Sequence, residues 1–596
     1  MPDRSNEPRM RKPLGKGTPM RERSINTVSR RSFIAGATSL GVVALASMAG
    51  CAPKAKGEDK TPVAATGGSD VPSSWDMESD VVIIGAGGAG MSAACTAKEA
   101  GASVLVLEKG GVTGGDTALS GQSALGPWIS KQKEAGIDES VEKYIADMAN
   151  SYVHGAFAEQ GRELPAEHPF TQLQTELTEE MFEWTTGTIG IDWQCDLESP
   201  VSEGVLPQPT WDTVAGRSWM NQTPDASVMA AFNKAARDMA IDVRLRTEVD
   251  RLIKNSDGRV VGVWAYDEND NSVAVKAAKA VIVATGSFCS NRGMMERYLP
   301  VTRGIQGGGC YGVTGDGIRM VRNVGGSVSE LDLGCHWYPY ETSTNSGQFS
   351  TTLIFFGGLP GQVPISQQPG VLLNYEGERF VSESDGYHLI GRATAQQTGQ
   401  EAWYVFDSSP MVADMILDII PYNNRVVQAE TLDELWKITR LPAEAADASI
   451  EAYNAAVVAG SDEAFGKLLD GCQPVAQGPF YAINIRPKPY CTYGGVDTDL
   501  DARVVDASGA AIPGLYAAGI VTGSFAAREG FYYNGGLAQA LIFGRLAGKN
   551  AAAEEAWEAA APTGAESEKQ NLNELARCGD CHGDKRAPGE PNYHNF

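Results

Sequence analysis

The feature that most constrains the fold is a short apolar run that leads directly into a glycine-rich turn. Val81–Ile84 is wholly apolar, and the turn that follows reads Gly85-Ala86-Gly87-Gly88-Ala89-Gly90. Small residues then continue to Ala100, so the segment predicts a strand, a tight turn that a pyrophosphate can approach, and a closely packed helix. Ser103–Leu107 predicts a second strand that ends in Glu108, which is placed to bond ribose hydroxyls. The segment therefore predicts a dinucleotide-binding unit.

Four later segments continue the pattern of apolar strands and glycine-rich turns. After Lys109 a second glycine-rich loop runs to Gly121, and Val249–Val263 predicts a hairpin. Ala280–Gly286 predicts a buried strand that ends in Ala-Thr-Gly, and Gly514–Gly519 precedes an Asn-Gly-Gly-Leu turn and an apolar helix. Loops of this kind suit an extended dinucleotide, because glycine lets the backbone come close to a ligand.

In this order the five motifs resemble the fumarate reductase and 3-ketosteroid dehydrogenase superfamily of flavoproteins, over roughly residues 78–552. The resemblance implies an α/β fold with a Rossmann-type FAD-binding domain, split in sequence, and an inserted α+β capping domain. We expect the two parts of the FAD-binding domain at 79–334 and 486–552, and the capping domain, which holds the substrate, at 335–485.

The resemblance also implies FAD as the cofactor. The covalent FAD histidine of some members would fall at Thr117–Ser120, where the chain has no histidine, so FAD is expected to bind without a covalent link. The helix that begins near Gly536 is expected to direct its N-terminus at the flavin pyrimidine, where negative charge accumulates on reduction. The residues expected to contact FAD are Gly85, Gly87, Gly88, Ala89, Gly90, Glu108, Lys109, Thr113, Gly114, Gly115, Asp116, Ser120, Gly121, Val249, Ala284, Thr285, Gly286, Asp316, Gly519 and Leu537.

The proton donor is the position that separates the branches of this superfamily. Saturating a C=C bond beside a carbonyl needs a hydride at one carbon, a proton at the next, and donors that polarise the carbonyl. Gly377–Glu383 matches a capping-domain signature of the superfamily. Four residues beyond it, fumarate reductases carry an arginine as proton donor and ketosteroid dehydrogenases a tyrosine, and this chain has Tyr387. The resemblance therefore favours the ketosteroid-like branch, and packing within the cap is the alternative for Tyr387.

Two other positions depart from the dicarboxylate enzymes, which hold substrate carboxylates with a histidine and an arginine. In those regions this chain has Tyr490–Val496 and Gly530–Gly536, so bidentate carboxylate recognition is lost and aromatic or hydroxyl groups replace it. Tyr532 or Tyr533, assisted by the N–H of Gly536, is expected to bond the substrate ketone. His336 lies one position from a binding histidine of fumarate reductases, and a structural role is its alternative.

Two other functions remain open. Arg528, beside Glu529, would anchor a carboxylate in a fumarate- or urocanate-like enoate reductase, or would be an exposed ion pair without a catalytic role. The chain would alternatively be an electron-transfer flavocytochrome without an organic substrate.

The N-terminal 50 residues resemble a twin-arginine export signal. They hold nine Lys/Arg against three Asp/Glu, although the whole chain carries a formal net charge of −25. Arg30-Arg31 precede the weakly apolar Ala35–Gly50, whose glycines and serines would make a poor membrane anchor helix. Met48–Cys51 resembles a lipoprotein cleavage box, which makes Cys51 a lipidation candidate. Residues 51–78 are expected to form a flexible linker.

The C-terminal segment 553–596 is expected to be a linker and a haem c attachment tail. It contains Cys578-Gly579-Asp580-Cys581-His582, the c-type haem pattern, in which Cys578 and Cys581 bind the haem covalently and His582 is an axial metal ligand. A zinc site would need two more ligands, and only His594 follows. His594 or a partner would supply the second haem ligand.

Together these features predict an exported FAD-dependent reductase, or dehydrogenase, for a C=C/C–C bond conjugated to a carbonyl in a 3-ketosteroid-like or other apolar enone. Electrons would come through the haem from an external donor, a membrane cytochrome c or a quinol-linked donor. The protein would work in the periplasm or on the outer face of the cytoplasmic membrane, touching the membrane only through a lipid anchor. A sequence pI near 4.7 argues against nucleic acid as a partner.

Overall fold

A buried parallel strand pair and the helix between its strands begin the fold, as the first glycine-rich turn predicted. In the computed structural model these elements are Met77–Ile84, Gly88–Glu99 and Val104–Leu107. The structure describes residues 71–557 except 151–154, 196, 198–213, 225, 342–369, 386, 409–425 and 470. The predicted export signal, Cys51 and the haem tail with Cys578, Cys581 and His582 lie outside the described residues.

The strands in the described part of the chain are β1 Met77–Ile84, β2 Val104–Leu107, β3 Ser123–Leu125, β4 Trp193–Gln194, β5 Ser218–Asn221, β6 Asp242–Arg244, β7 Glu248–Lys254, β8 Val260–Tyr266, β9 Ser272–Val283, β10 Val328–Ser329, β11 Cys335–Glu341, β12 Val371–Leu373, β13 Ala402–Phe406, β14 Val426–Ala429, β15 Phe480–Thr492, β16 Gly495–Val496, β17 Arg503–Val505 and β18 Ala511–Ala517. The α-helices there are α1 Gly88–Glu99, α2 Gly115–Leu119, α3 Ile129–Glu134, α4 Val141–Asn150, α5 Ala156–Glu159, α6 Pro169–Trp184, α7 Val228–Asp238, α8 Arg292–Tyr298, α9 Asp316–Asn323, α10 Tyr387–Ala395, α11 Leu432–Thr439, α12 Ala443–Ala459, α13 Phe525–Arg528 and α14 Gly536–Ala553. A π-helix, Thr185–Ile189, continues α6.

One mixed sheet unites distant parts of the sequence. Its main order is β17-β18-β9-β1-β2-β6, and the predicted hairpin β7-β8 is confirmed and joins through β9. β1 pairs in parallel with both β2 and β9, and β18 pairs in parallel with β9. Val81–Ile84 is almost fully buried, which is typical of a parallel strand covered on both faces. The α/β class predicted from the sequence is confirmed, and the last strands of the chain return to the sheet that the first ones begin.

Backbone contact between α1 and α14 covers one face of this sheet. A Cβ atom added at Gly544 would lie 2.4 Å from the carbonyl oxygen of Ala89, and one at Gly548 would lie 2.3 Å from that of Ala93. Side chains at these two positions would separate the helices, because real Cβ atoms do not approach that closely. The glycines in the apolar C-terminal helix therefore allow a close helix pair.

A second sheet is antiparallel and has its own core. Its order is β11-β15-β13-β12, with β14 also on β15. Buried Trp436, Ile450 and Tyr453 from α11 and α12 pack with β12, β13 and β15 in one of its hydrophobic clusters. The predicted boundary at 485/486 falls inside β15, which continues to Thr492. No helix within the described ranges is long and apolar enough to cross a membrane.

The helix contact predicts a stability defect in Gly544→Ala. The added methyl group must displace the α1 backbone, so we expect the free energy of unfolding to fall by about 1–3 kcal/mol in a urea titration. Gly187→Ala is the matched control, because a Cβ atom there meets nothing within 4 Å. That control should stay within about 0.5 kcal/mol of the wild type. Equal stability of the two variants would contradict the proposed contact.

Candidate active site

Two glycine-rich loops lie side by side at the carboxyl end of β1. Gly85 has φ +103°, and a Cβ atom there would lie 2.5 Å from the carbonyl oxygen of Ala284. Gly87 forms a parallel bridge with Gly114, and the nearest atom to a Cβ added at Gly87 would be 3.7 Å away. No side chain caps the N-terminus of α1, apart from Thr117, whose Oγ1 accepts a hydrogen bond from Gly88 N–H at 3.1 Å. The loops thus form an open, donor-rich cradle suited to phosphates.

Acidic and basic side chains at the end of β2 are fixed beside this cradle. The carboxylate of Glu108 accepts hydrogen bonds from Ala86 N–H at 2.9 Å and Gly110 N–H at 2.7 Å. Lys109 Nζ lies 2.5 Å from Asp316 Oδ2 on α9. Burial opposes ionisation of Asp316, but the adjacent Lys109 ammonium outweighs it and the pKa of Asp316 is lowered. The structure therefore pairs Lys109 with Asp316 at the end of the strand that Glu108 follows.

The other predicted FAD contacts have varied surroundings. Thr113 Oγ1 donates to Asn233 at 2.8 Å, and Ser120 Oγ donates to the carbonyl of Thr117 at 2.8 Å. Buried Thr285 Oγ1 has no hydrogen-bond partner in the part of the chain that the structure describes. Val249 is buried in a hydrophobic core. Gly115, Gly121, Gly286, Gly519 and Leu537 lie at loop or helix-start positions.

Asp116 connects the second glycine-rich loop to the loop before α9. Its Oδ1 accepts a hydrogen bond from Cys310 N–H at 2.6 Å, and burial raises its pKa to about 6. Burial also raises the pKa of the Cys491 thiol to about 12. A hydrogen bond with Tyr533 lowers this pKa, whereas the charge of Asp116 adds to the increase. Cys491 thus lies against Tyr533, one of the predicted catalytic tyrosines, and within electrostatic range of Asp116 in the second glycine-rich loop.

Five aromatic side chains, His336, His388, Tyr493, Tyr532 and Tyr533, form what we call the ring cluster. The imidazoles of His336 and His388 stack with ring centroids 4.7 Å apart. Tyr533 lies 4.3 Å from His336, and Tyr532 stands edge-to-face with His388 at 5.4 Å. The hydroxyl of Tyr493 is 3.2 Å from His336 Nδ1. All five side chains are buried. The cluster joins β11, α10 and two loops that are far apart in sequence.

His336 gives the ring cluster a neutral imidazole. Burial, together with the neighbouring His388, holds the pKa of His336 well below its ordinary value, so this imidazole is neutral at pH 7. Burial lowers the pKa of Arg392, one turn further along α10, while Tyr493 and Tyr532 act against this. Arg392 forms an ion pair with Glu159. The cluster thus offers hydroxyl and imidazole groups in an apolar setting.

The loop that carries the two predicted tyrosines is held by Glu529. Its carboxylate accepts hydrogen bonds from Phe170 N–H and Thr171 N–H, each at 2.8 Å, at the start of α6. Burial raises the pKa of Glu529, although these hydrogen bonds act to lower it.

The hydroxyl of Tyr533 reaches the N-terminus of α14. A Cβ atom added at Gly536 would lie 2.9 Å from Tyr533 Oη.

Arg528 is bound within the protein. Its guanidinium pairs with Asp497 and donates to Ser329 Oγ at 2.8 Å and to the carbonyl of Thr522 at 2.8 Å. It also lies 3.4 Å from Glu330. These contacts engage both terminal nitrogens, so we assign Arg528 a structural role in place of the carboxylate anchor considered from the sequence.

Tyr387 is the first residue of α10, and its side chain is outside the described part of the structure. The capping-domain signature before it forms a buried ionic network. Arg379 lies 2.8 Å from Glu383 and 2.9 Å from Asp462. Glu383 also accepts a hydrogen bond from Leu372 N–H at 2.8 Å. The signature therefore anchors the segment that leads into α10.

No role was predicted from the sequence for His388, Arg392 or Cys491. His388 and Arg392 are four residues apart, the spacing that places two side chains on one face of a helix, and this was the available signal. Nothing in the sequence indicated that β11 would bring His336 against this helix. In the described ranges, no group of three or more His, Cys, Asp and Glu side chains could hold a metal ion.

The sequence pattern of the FAD binding domain family matches residues 80–536. This chain belongs to the FAD binding domain family. It is an FAD-dependent oxidoreductase. The fold also matches the crystal structure of 3-ketosteroid-Δ4-(5α)-dehydrogenase from Rhodococcus jostii RHA1 in complex with 4-androstene-3,17-dione. The TM-score is 0.62 at 26% identity, covering 81% of this chain and 98% of the other.

Two curated members are similar over most of the chain. A probable fumarate reductase, Ifc3, from Shewanella frigidimarina is 29% identical over 482 residues, which are 79% of this chain and 74% of the relative. A digoxin reductase from Eggerthella lenta is 28% identical over 602 residues, covering 89% of this chain and 98% of the relative. This FAD binding domain protein is thus similar to reductases with different named substrates.

The contacts of Arg528 predict a stability defect without a binding defect. Arg528→Ala leaves Asp497 without its guanidinium partner, so the free energy of unfolding should fall by about 1–3 kcal/mol. Lys234→Ala, which removes an exposed pair with Asp238, should change it by less than about 0.5 kcal/mol. The Michaelis constant of Arg528→Ala should equal that of the wild type. A large increase in the Michaelis constant with unchanged stability would instead indicate that Arg528 binds a substrate carboxylate.

Proposed function

We propose that this protein reduces a C=C bond conjugated to an uncharged carbonyl, in a 3-ketosteroid-like or other apolar enone. The observation that carries the proposal is the ring cluster, which is buried, contains the neutral imidazole of His336 and lies near the loop that carries Asp116. A substrate carboxylate would lose its hydration there, and the guanidinium groups of Arg392 and Arg528 are already paired with acids. The similarity to a ketosteroid dehydrogenase also supports this substrate class.

We further propose that the mixed sheet is the split Rossmann-type FAD-binding domain and that the antiparallel sheet belongs to the inserted cap. The parallel return of β18 to β9 supports the split. The separate hydrophobic clusters of the second sheet support the cap.

The residues of the cradle fit FAD. A pyrophosphate would lie against Gly87 and Gly114, where the backbone is open, and Glu108 would bind ribose hydroxyls. The unpartnered Thr285 hydroxyl would gain a partner from the cofactor. When bound and reduced by two electrons from the external donor, the flavin would supply the hydride and return to its oxidised form.

The protein's own residues would supply the proton and polarise the carbonyl. The phenol of Tyr387 would donate its proton to the carbon next to the carbonyl, as the superfamily spacing implies. We choose Tyr533 over Tyr532 as the first donor to the carbonyl oxygen, because its hydroxyl reaches the start of α14. Gly536 N–H would act with it, since the first N–H groups of a helix have no partner within the helix.

Electron supply and location are proposed from the sequence. A c-type haem on Cys578 and Cys581, with His582 as axial ligand, would pass electrons from an external cytochrome or quinol-linked donor. Haem c is attached outside the cytoplasm, which agrees with the twin-arginine signal and with Cys51 as a lipid anchor. Because electrons would flow from the external donor to the flavin, reduction of the substrate is favoured over its dehydrogenation.

A second candidate is an enoate reductase, which the similarity to a fumarate reductase favours. The paired state of Arg528 argues against it, since the chain would then need another cation to hold the carboxylate.

The test is anaerobic enone reduction by the FAD-loaded protein with a reduced viologen as electron source. Tyr387→Phe should lower kcat by at least about 100-fold, because the proton donor is lost. Tyr533→Phe should lower it by about 100-fold, because one donor to the carbonyl is lost.

Tyr298→Phe is the control, since the hydroxyl of this half-buried tyrosine on α8 accepts a hydrogen bond from exposed Arg322 and belongs to no proposed substrate contact. It should retain the wild-type rate. Full activity of Tyr387→Phe would exclude the proposed proton transfer, and no enone reduction by the wild type would exclude the function.

A further inference from the structure

We propose that His388 binds the substrate by donating its Nε2–H to the carbonyl oxygen, as a second side-chain donor beside Tyr533. This assignment rests on the proposed function and adds a residue to its site. The substrate carbonyl would then accept hydrogen bonds from two neutral side chains, one on α10 and one in the loop before α14.

The tautomer of His388 is fixed by the backbone. Trp337 N–H donates a hydrogen bond to His388 Nδ1 at 3.1 Å, inside the protein. A backbone N–H can only donate, so Nδ1 must be unprotonated and the ring proton must be on Nε2. His388 is therefore a neutral imidazole with one defined donor.

The same bond excludes another role. A proton shuttle needs both ring nitrogens to exchange protons, and Nδ1 of His388 is held as an acceptor by Trp337 on β11. Protonation at Nδ1 would break this buried bond and place a charge against His336. His388 is thus suited to donate a hydrogen bond and unsuited to carry protons.

The position of His388 places this donor among the proposed catalytic groups. It lies in the first turn of α10, directly after Tyr387, and is buried. Its ring stacks on His336 and meets Tyr532 edge-to-face. Nε2 carries its proton whichever group accepts the hydrogen bond from it before the substrate binds.

A neutral imidazole is chemically suited to this task. As hydride reaches the conjugated carbon, negative charge develops on the carbonyl oxygen, and a fixed donor stabilises that charge more than it stabilises the ground state. Because His336 and His388 are neutral, a ketone can enter without displacing a counter-ion.

Two substitutions separate binding from structure. In His388→Asn the amide oxygen can take the place of Nδ1 and keep the bond from Trp337 N–H, but the Nε2–H donor is lost. In His388→Gln the longer side chain can place an amide N–H near the Nε2 position, but the acceptor for Trp337 N–H is lost. If His388 has only a structural role, His388→Asn should be the more active variant. If His388 binds the substrate, His388→Gln should be the more active one.

We measure kcat and KM for enone reduction, the dissociation constant of a saturated ketone by calorimetry, and the melting temperature. His388→Asn should lower kcat by about 100-fold and raise the ketone dissociation constant by about tenfold. His388→Gln should stay within about tenfold of the wild-type kcat, although it should melt at a lower temperature than His388→Asn.

An activity order that follows the melting order would overturn the assignment, as would wild-type kcat and ketone binding in His388→Asn. A wild type that reduces enones while both variants remain fully active would overturn the role of His388 and leave the proposed function intact. A wild type that neither binds nor reduces ketones would overturn both.

Discussion

The backbone contact between α1 and α14 ties the C-terminal helix to the first helix of the parallel sheet. Gly544 and Gly548 let α14 lie directly on α1, next to the strand that begins the parallel sheet. The start of α14 is then fixed at Gly536, and the loop before it reaches the ring cluster. The two glycines of α14 thus help to set where Tyr532 and Tyr533 lie relative to the glycine-rich loops at the end of β1.

Burial gives the site its chemical character. It keeps His336 neutral, raises the pKa of Asp116 to about 6, and leaves hydroxyl and imidazole groups as the donors. The arginines around the site are held by acids, and the buried Arg379 network holds the segment before α10. Charge therefore stabilises the surroundings of the site, while neutral groups would contact the substrate. This division separates the proposed enone site from one that recognises a dicarboxylate.

Much of this organisation could be predicted from the sequence, because its signals are local. The strand, turn and helix around Gly85 follow from spacing and residue size, and the β7-β8 hairpin follows from two apolar runs around a turn. The roles of Glu529 and His388 could not be predicted in this way. Glu529 binds the start of α6 and His388 stacks on a residue of β11, so both depend on tertiary packing between distant segments.

The most direct test of the neutral carbonyl site compares two substrates of similar size, a ketone and a carboxylate, that share the same phenyl-substituted C=C bond. FAD-loaded protein, reduced anaerobically, is mixed with 4-phenyl-3-buten-2-one or with cinnamate, and the recovery of oxidised flavin absorbance is followed in a single turnover. The ketone should restore the absorbance at least about tenfold faster than the acid at equal concentration. Equal or faster recovery with cinnamate would contradict this expectation.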